Sequence, residues 1–394
     1  MKRHAYLLSV CLTFAALAPA AAQDLTITNV RIIGPNSTVI ERGSIVVRGG
    51  KIASVAPGAP TAKAGMTIDA KGMTAMPGFI DAHRHINTGP NEKAQMQAQL
   101  EAGYTTILSG GGPGDGNITL RDHINSGMIN GPRIIPSERV NLRGTPEEGR
   151  AAIRTMAAKG IKFTGEIALT PVPGPSEKEL DVLRAVVDEA KKAGVMVQVH
   201  AVSSSAMVAA VKAGVPLLVH LPNKDWVSKE DAKIVAASGA KVLGTAAFGT
   251  PVFGVFADDN NPRFRDGKPW PEGIVDGVRL GEEAGYMPVN ARTIWDAGVV
   301  LGYCTDTTYD PLAGLDHELK LLNTMFSMKD LVKMMGPNTA SYIQMGDQLG
   351  TIEAGKLADI VLLDGDPLEG YWNWLKTKVT IKGGVVVVDK RAKK

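Results

Sequence analysis

The sequence predicts an α/β protein: a (β/α)₈ TIM barrel with a small β-sandwich-like domain built from both chain ends. Three observations predict it. Between residues 76 and about 345, eight apolar strand-like runs alternate with helix-like stretches. The flanking zones, 23–75 and 346–394, read as short strands and turns. Four histidines fall at the ends of the apolar runs, on the side where a barrel of this kind carries its chemistry.

The first element is a leader. "MKRHAYLLSVCLTFAALAPAAAQD" has a basic start at Lys2 and Arg3, a short apolar run and a small-residue stretch ending at Ala22. That is the layout of a secretory signal peptide spanning 1–22, so the expectation is an exported, periplasmic protein. The apolar run is too short to span a bilayer, and no later segment is long and apolar enough to do so. Cleavage would leave 41 of 43 basic residues and all 40 acidic ones, a formal charge near +1. That balance gives no electrostatic case for nucleic acid or anionic lipid. Cys304 is the only thiol beyond the leader, so stability must come from a large apolar core rather than a disulfide.

The strand-rich zone at 23–75 contains "LTITNVRII", "SIVVRGGKIASV" and "MTIDAKGMTAM", where alternation broken by Gly-Gly and Lys-Gly predicts hairpins. The barrel runs follow in order: "MPGFIDAH", "YTTILSG", "PRIIPS", "IKFTGEI", "VMVQVHA", "PLLVHL", "AKVLGTA" and "GVVLGYCTD". The clearest helix is 176–194. Ser176 and Glu179 form a capping box, Leu180, Leu183 and Val187 make one face, and Gly194 ends it. The zone at 346–394, with "LGTIEAGKLADIVLLDGDPLE" and "VTIKGGVVVVDK", returns to strands and is expected to pair with 23–75.

The chemistry follows from what ends each run. The first ends in His83 and His85, the fourth near Glu166, the fifth in His200, the sixth in His220 and the eighth in Asp306. Residues two apart on a strand point the same way, so His83 and His85 can face one metal ion. Imidazole and carboxylate together suit zinc, with manganese, iron or cobalt as alternatives. Four histidines plus carboxylates exceed one catalytic zinc site, so two divalent ions are expected.

The motifs resemble the amidohydrolase superfamily, and within it the imidazolonepropionase-like and enamidase-like metal hydrolases. "PGFIDAHRH" resembles the strand-one motif, and "LRDHINSGMINGPRIIPS" the segment leading into strand three. "VHAVSSSAMVAAVKAGVPLLVHL" resembles the strand-five to strand-six unit. "YCTDTTYD" resembles the strand-eight aspartate, and "LGTIEAGKLADIVLLDGDPLE" the closing β segment. The resemblance implies that His83, His85 and Asp306 hold one metal and that His200 and His220 hold the other. It further implies that Asp306 takes the proton of the attacking, metal-bridging hydroxide's parent water and passes it to the leaving nitrogen. The bridging ligand is open to two readings. Glu166, at the far end of its run, is favoured over a carboxylated Lys162 at the start of the same run.

Other residues carry weaker signals. His317, in "GLDHELKLL", reads equally as a substrate contact or a helix-surface histidine. "SGGGPGDGN" at 109–117 lacks the Lys-Ser/Thr of a nucleotide loop and reads as a flexible connection beside the metals. The segment 247–298 is long for one connection and holds Arg263, Arg265 and Trp270. It is expected to form a lid or wall whose arginines meet a substrate carboxylate. The reading is therefore an exported binuclear hydrolase of a C–N bond in a small-molecule amide or cyclic amide. A lactone or phosphoester hydrolase, an isomerase or lyase, and a periplasmic binding or metal-carrying protein are the alternatives. A homo-oligomer is left open.

Overall fold

A computed structural model of the chain describes residues 24–247, 278–307 and 310–391. The leader and the expected substrate contacts Arg263, Arg265 and Trp270 lie outside the described residues.

The chain begins with β1 (Leu25–Ile33), β2 (Val39–Arg48), β3 (Lys51–Pro57), β4 (Met66–Asp69) and β5 (Thr74–Pro77). The ten short strands that follow are β6 (Phe79–Arg84), β7 (Tyr104–Ser109), β8 (Arg133–Ile135), β9 (Ser137–Glu138), β10 (Phe163–Thr164), β11 (Ile167–Ala168), β12 (Gln198–His200), β13 (Leu217–Val219), β14 (Lys241–Gly244) and β15 (Val300–Tyr303). The chain ends with β16 (Ile360–Leu363), β17 (Thr377–Lys382) and β18 (Val385–Asp389). Between the central strands lie α1 (Glu92–Ala102), α2 (Gly114–Asn125), α3 (Pro146–Ala158), α4 (Glu177–Ala193), α5 (Ser204–Lys212), α6 (Lys229–Ser238) and α7 (Val278–Asp296), with α8 (Pro311–Leu322) after β15.

The two chain ends share one eight-stranded sheet, ordered β18-β17-β16-β5-β1-β2-β3 with β4 paired to β1. The joint is β5 antiparallel to β16, with Ala75 opposite Leu362. Its core is aliphatic, built from Ile27, Ile45, Ile360 and Ile381 among others. The ladder describes a single sheet, so the sandwich-like arrangement expected for this region is not what the hydrogen bonds record.

The central strands pair in sequential, parallel order but in three arcs: β6-β7-β8, β9-β10 and β11 to β15. The closed ladder expected of a barrel is therefore not present among the described residues, and the physical reasons are local. Pro136 has no N–H to donate and separates β8 from β9. Gly165 and Glu166 interrupt the fourth run between β10 and β11. At the seam between β15 and β6, the Asp306 N–H donates to the His83 carbonyl at 2.8 Å in place of a ladder.

Each strand separates two cores. Leu217 and Val219 of β13 join Ile80, Ala82 and Leu243 in an inner cluster. Leu218, between them, belongs to a separate outer cluster that also holds Leu183 and Val186 of α4. That is why these strands read as unbroken apolar runs: both faces are covered. On α4 the capping box and the left-handed Gly194 are as expected. Its buried face is centred on Val182, Leu183, Val186 and Ala190, with Leu180 and Val187 at the edge, because a helix's i, i+4 rows turn slowly about its axis.

Candidate metal centre

His83 lies on β6 and His85 just beyond it, with ring centroids 5.3 Å apart. The alternation of an extended segment carries both rings to the same place. His200 ends β12, and His220 follows β13. Their ring centroids are 4.4 Å apart, and His220 is 5.4 Å from His83. Asp306 follows β15 and projects among them.

Glu166 completes the cluster through the interruption in the fourth run. Before it, β10 pairs with β9; after it, β11 pairs with β12. The Glu166 N–H turns instead to the carbonyl of Gly110, at 3.3 Å. Glu166 Oε2 then stands 2.8 Å from His200 Nδ1 and 2.8 Å from His220 Nε2, and 3.6 Å from His83 Nε2. Asp306 Oδ1 is 3.0 Å from His85 Nε2 and 3.4 Å from His83 Nε2. Three overlapping groups thus have metal-ligand spacing: His83, His220 and Asp306; His83, His85 and Glu166; and Glu166, His200 and His220. Lys162 is exposed at the start of the same run as Glu166. His317 is partly buried on α8 and stands outside these groups.

Two of these residues hold unusual backbone. His220 has φ +74° and Asp306 φ +51°, the left-handed region that costs a non-glycine residue on the order of 1 kcal/mol or more. Both sit where a strand ends and its side chain must turn into the barrel mouth. The rings are oriented from behind. His220 Nδ1 is 2.7 Å from Thr245 Oγ1, and His85 Nδ1 is 3.2 Å from the Gly111 carbonyl, which leaves each Nε2 facing the carboxylates.

The electrostatics suit a cation. Burial pushes the Glu166 carboxyl up, but hydrogen bonds from His200 and His220 and the nearby His83 outweigh it and hold the group well below the usual carboxylate range. Asp306 behaves alike: burial raises it, but His83 and His85 outweigh that and hold it below the usual carboxylate range. Burial lowers His220, which favours the neutral ring that ligates metals. His83 is fully buried with neither ring nitrogen hydrogen-bonded, and Asp306 Oδ1 is buried and unbonded too. Buried polar atoms left in that state are costly unless something else satisfies them. Four imidazoles and two carboxylates converging on such orphaned atoms fit divalent transition-metal ions.

Several supporting residues were not legible as such in the sequence. A side chain on Gly110 would place its Cβ 2.8 Å from His83 Nε2, so the Ser-Gly-Gly-Gly run is a close backbone wall of the site. Arg84, between the two histidines, is 2 % exposed and donates to Thr305 and Thr307 Oγ1 at 3.2 and 2.9 Å. Asp81 accepts from Thr305 and from the His83 N–H. This network ties the first and eighth strands on either side of Asp306. The glycine run was a usable signal; a charged residue between two ligands gives none for burial.

Comparison with known proteins agrees with this geometry. Residues 74–387 match the model of the Amidohydrolase family. The chain is 23% identical to an imidazolonepropionase of Caldanaerobacter subterraneus subsp. tengcongensis over 89% of its own length and 91% of the relative's. It is 24% identical to a dihydroorotase of Elusimicrobium minutum, with 90% of each chain covered. Among solved structures, a putative prolidase from Bifidobacterium longum superposes with a TM-score of 0.78 at 26% identity, covering 95% of this chain and 97% of that one. The family match over most of the chain, together with the TIM-barrel fold that these neighbours imply, settles the broad assignment: the chain belongs to the amidohydrolase family of metal-dependent hydrolases.

Proposed function

We propose that this protein is an exported, binuclear metal-dependent hydrolase that cleaves a C–N bond in a small-molecule amide or cyclic amide. The observation that carries the reading is the sharing of Glu166 Oε2 between His200 and His220 at 2.8 Å each, beside the unbonded His83 Nε2 and Asp306 Oδ1. In this reading His83, His85 and Asp306 would hold one ion and His200 and His220 the other, with the Glu166 carboxylate within reach of both sets. Zinc is the favoured metal on ligand chemistry. When bound, such ions supply Lewis acidity at a carbonyl oxygen and lower the pKa of water.

The chain's own residues do the rest. Asp306, kept ionised, accepts a proton from the attacking water at Oδ2, the oxygen 3.8 Å from His220 Nε2, and returns it to the leaving nitrogen. Thr245 and the Gly111 carbonyl keep the rings of His220 and His85 from rotating as the proton moves. The amide as substrate bond is supported by the family's name and by relatives named imidazolonepropionase and dihydroorotase. Export rests on the leader at 1–22.

Elemental analysis of the mature protein, purified without chelator, tests the reading. About two transition-metal ions per chain, with turnover lost on chelation and regained on reloading, is the expected result. About one ion after full reloading would replace the paired site with a mononuclear one.

A further inference from the structure

A cavity of about 970 Å³ opens beside the ligand cluster, with Glu166 and His200 in its wall. That is ample for a small-molecule substrate. The exposed Arg139, Arg143 and Lys178 also line it, and none of their charged groups makes an ion pair or hydrogen bond among the described residues. The two acidic groups in the same wall are already engaged. Glu166 is held by His200 and His220, and Glu179 accepts from Ser176 and Thr170 as the cap of α4. The cavity therefore presents uncompensated positive charge next to the reacting centre.

Arg139 is built into this place. It follows β9, and its stem crosses two glycines that meet beneath it. A Cβ on Gly111 would lie 3.1 Å from Arg139 Cγ, and one on Gly165 would lie 3.2 Å from the same atom. Gly111 carries the carbonyl that orients His85, and Gly165 precedes Glu166. Side chains at either glycine would push the arginine stem off the backbone that holds the ligands. The two bare glycines thus seat Arg139 against the cluster, where its planar fork can meet a carboxylate in bidentate fashion.

We propose that Arg139, backed by Arg143 and Lys178, is a carboxylate subsite, so that the substrate is an amide bearing a carboxylate close to its scissile C–N bond, as in an N-acyl amino acid. This inference rests on the C–N hydrolase reading. It places the anion contact on the third and fourth strand ends rather than on the 247–298 segment.

The test uses the metal-loaded mature protein with the twenty N-acetyl-L-amino acids and their matching carboxamides. The expected result is that carboxylates exceed carboxamides in kcat/KM. Arg139→Met is expected to lower kcat/KM for carboxylates by about 10- to 100-fold more than for carboxamides, chiefly through KM, the range of one lost charged hydrogen bond. Arg139→Lys should recover part of the difference. No carboxylate preference in the wild type, or equal loss for both series in Arg139→Met, would overturn the subsite while leaving C–N hydrolysis standing. If the wild type turns over neither series, linear N-acetyl amides are not its substrates, and calorimetric binding of the same N-acetyl amino acids judges the subsite. Binding that Arg139→Met abolishes would support it; binding that is absent or unchanged would overturn it.

Discussion

The backbone N–H of Asp306 donates to the carbonyl of His83 at 2.8 Å, and the Asp306 carboxylate reaches back to within 3.4 Å of the same residue's ring. One residue just past the eighth strand is thus held to one on the first by its main chain, and its side chain is brought up to the same ring. The pair closes the seam that the strand ladder leaves open, and it sets Asp306 in the left-handed conformation from which its carboxylate enters the cluster.

Asparagine tolerates that backbone conformation better than most residues, and it keeps the side-chain shape. Asp306→Asn is therefore expected to fold normally but to lose the proton acceptor. Turnover should fall by about 10²-fold or more, with the melting temperature within a few degrees of wild type. Full activity in this variant, measured on a substrate the wild type hydrolyses, would remove Asp306 as the base.

Glu166 and Lys162 make opposite predictions. Glu166 shares one oxygen between two histidines, whereas Lys162 is exposed before β10. Glu166→Gln should reduce bound metal from about two ions per chain toward one or none, since the amide cannot supply the charge that offsets a buried cation. Lys162→Ala should leave metal content unchanged by elemental analysis. The reverse pattern would make the lysine the bridge.

Gly110 is tested by adding one methyl group. The His83 ring it would strike is fully buried, so it has little room to yield. Gly110→Ala is expected to displace the ring and weaken metal affinity by about 10-fold or more, the scale of disturbing a ligand's support. Circular dichroism should remain that of the wild type. Unchanged metal affinity would show that the loop moves instead.

Glu318 on α8 gives a pH signature. Burial pushes its carboxyl up, beyond what the N–H groups of Ala247 and Ala246 recover, and Asp81 adds to the rise, to about 8. A carboxyl whose folded pKa is raised binds more protons folded than unfolded. Its contribution is complete below the unfolded value of 4.5 and is lost as pH rises toward 8. Glu318→Gln lacks that titration. The melting temperature of the wild type should therefore fall relative to the variant between pH 5 and 8. A constant difference across that range would mean that Glu318 titrates normally.

The order of amino acids by itself determined the alternation of strands and helices, the strand-rich character of the chain's two ends and the identity of the metal-binding candidates. The strands, helices and candidates depend on short-range periodicity: two residues per strand repeat carry His83 and His85 together, and Ser176, Glu179 and Gly194 delimit α4 whatever surrounds them. Tertiary structure alone decided how those pieces meet. Whether Glu166 or Lys162 stands near the histidines depends on an interruption at Gly165 and Glu166 that exists because β10 pairs with one neighbour and β11 with another. Arg84 is buried where Asp81 stands 3.8 Å from its Nη1 and Thr305 and Thr307, more than 200 residues away, accept from it. The groove that seats Arg139 forms only when Gly111 and Gly165 are brought together. Such contacts join residues remote in sequence, and their free energy comes from desolvation and packing that no local pattern records.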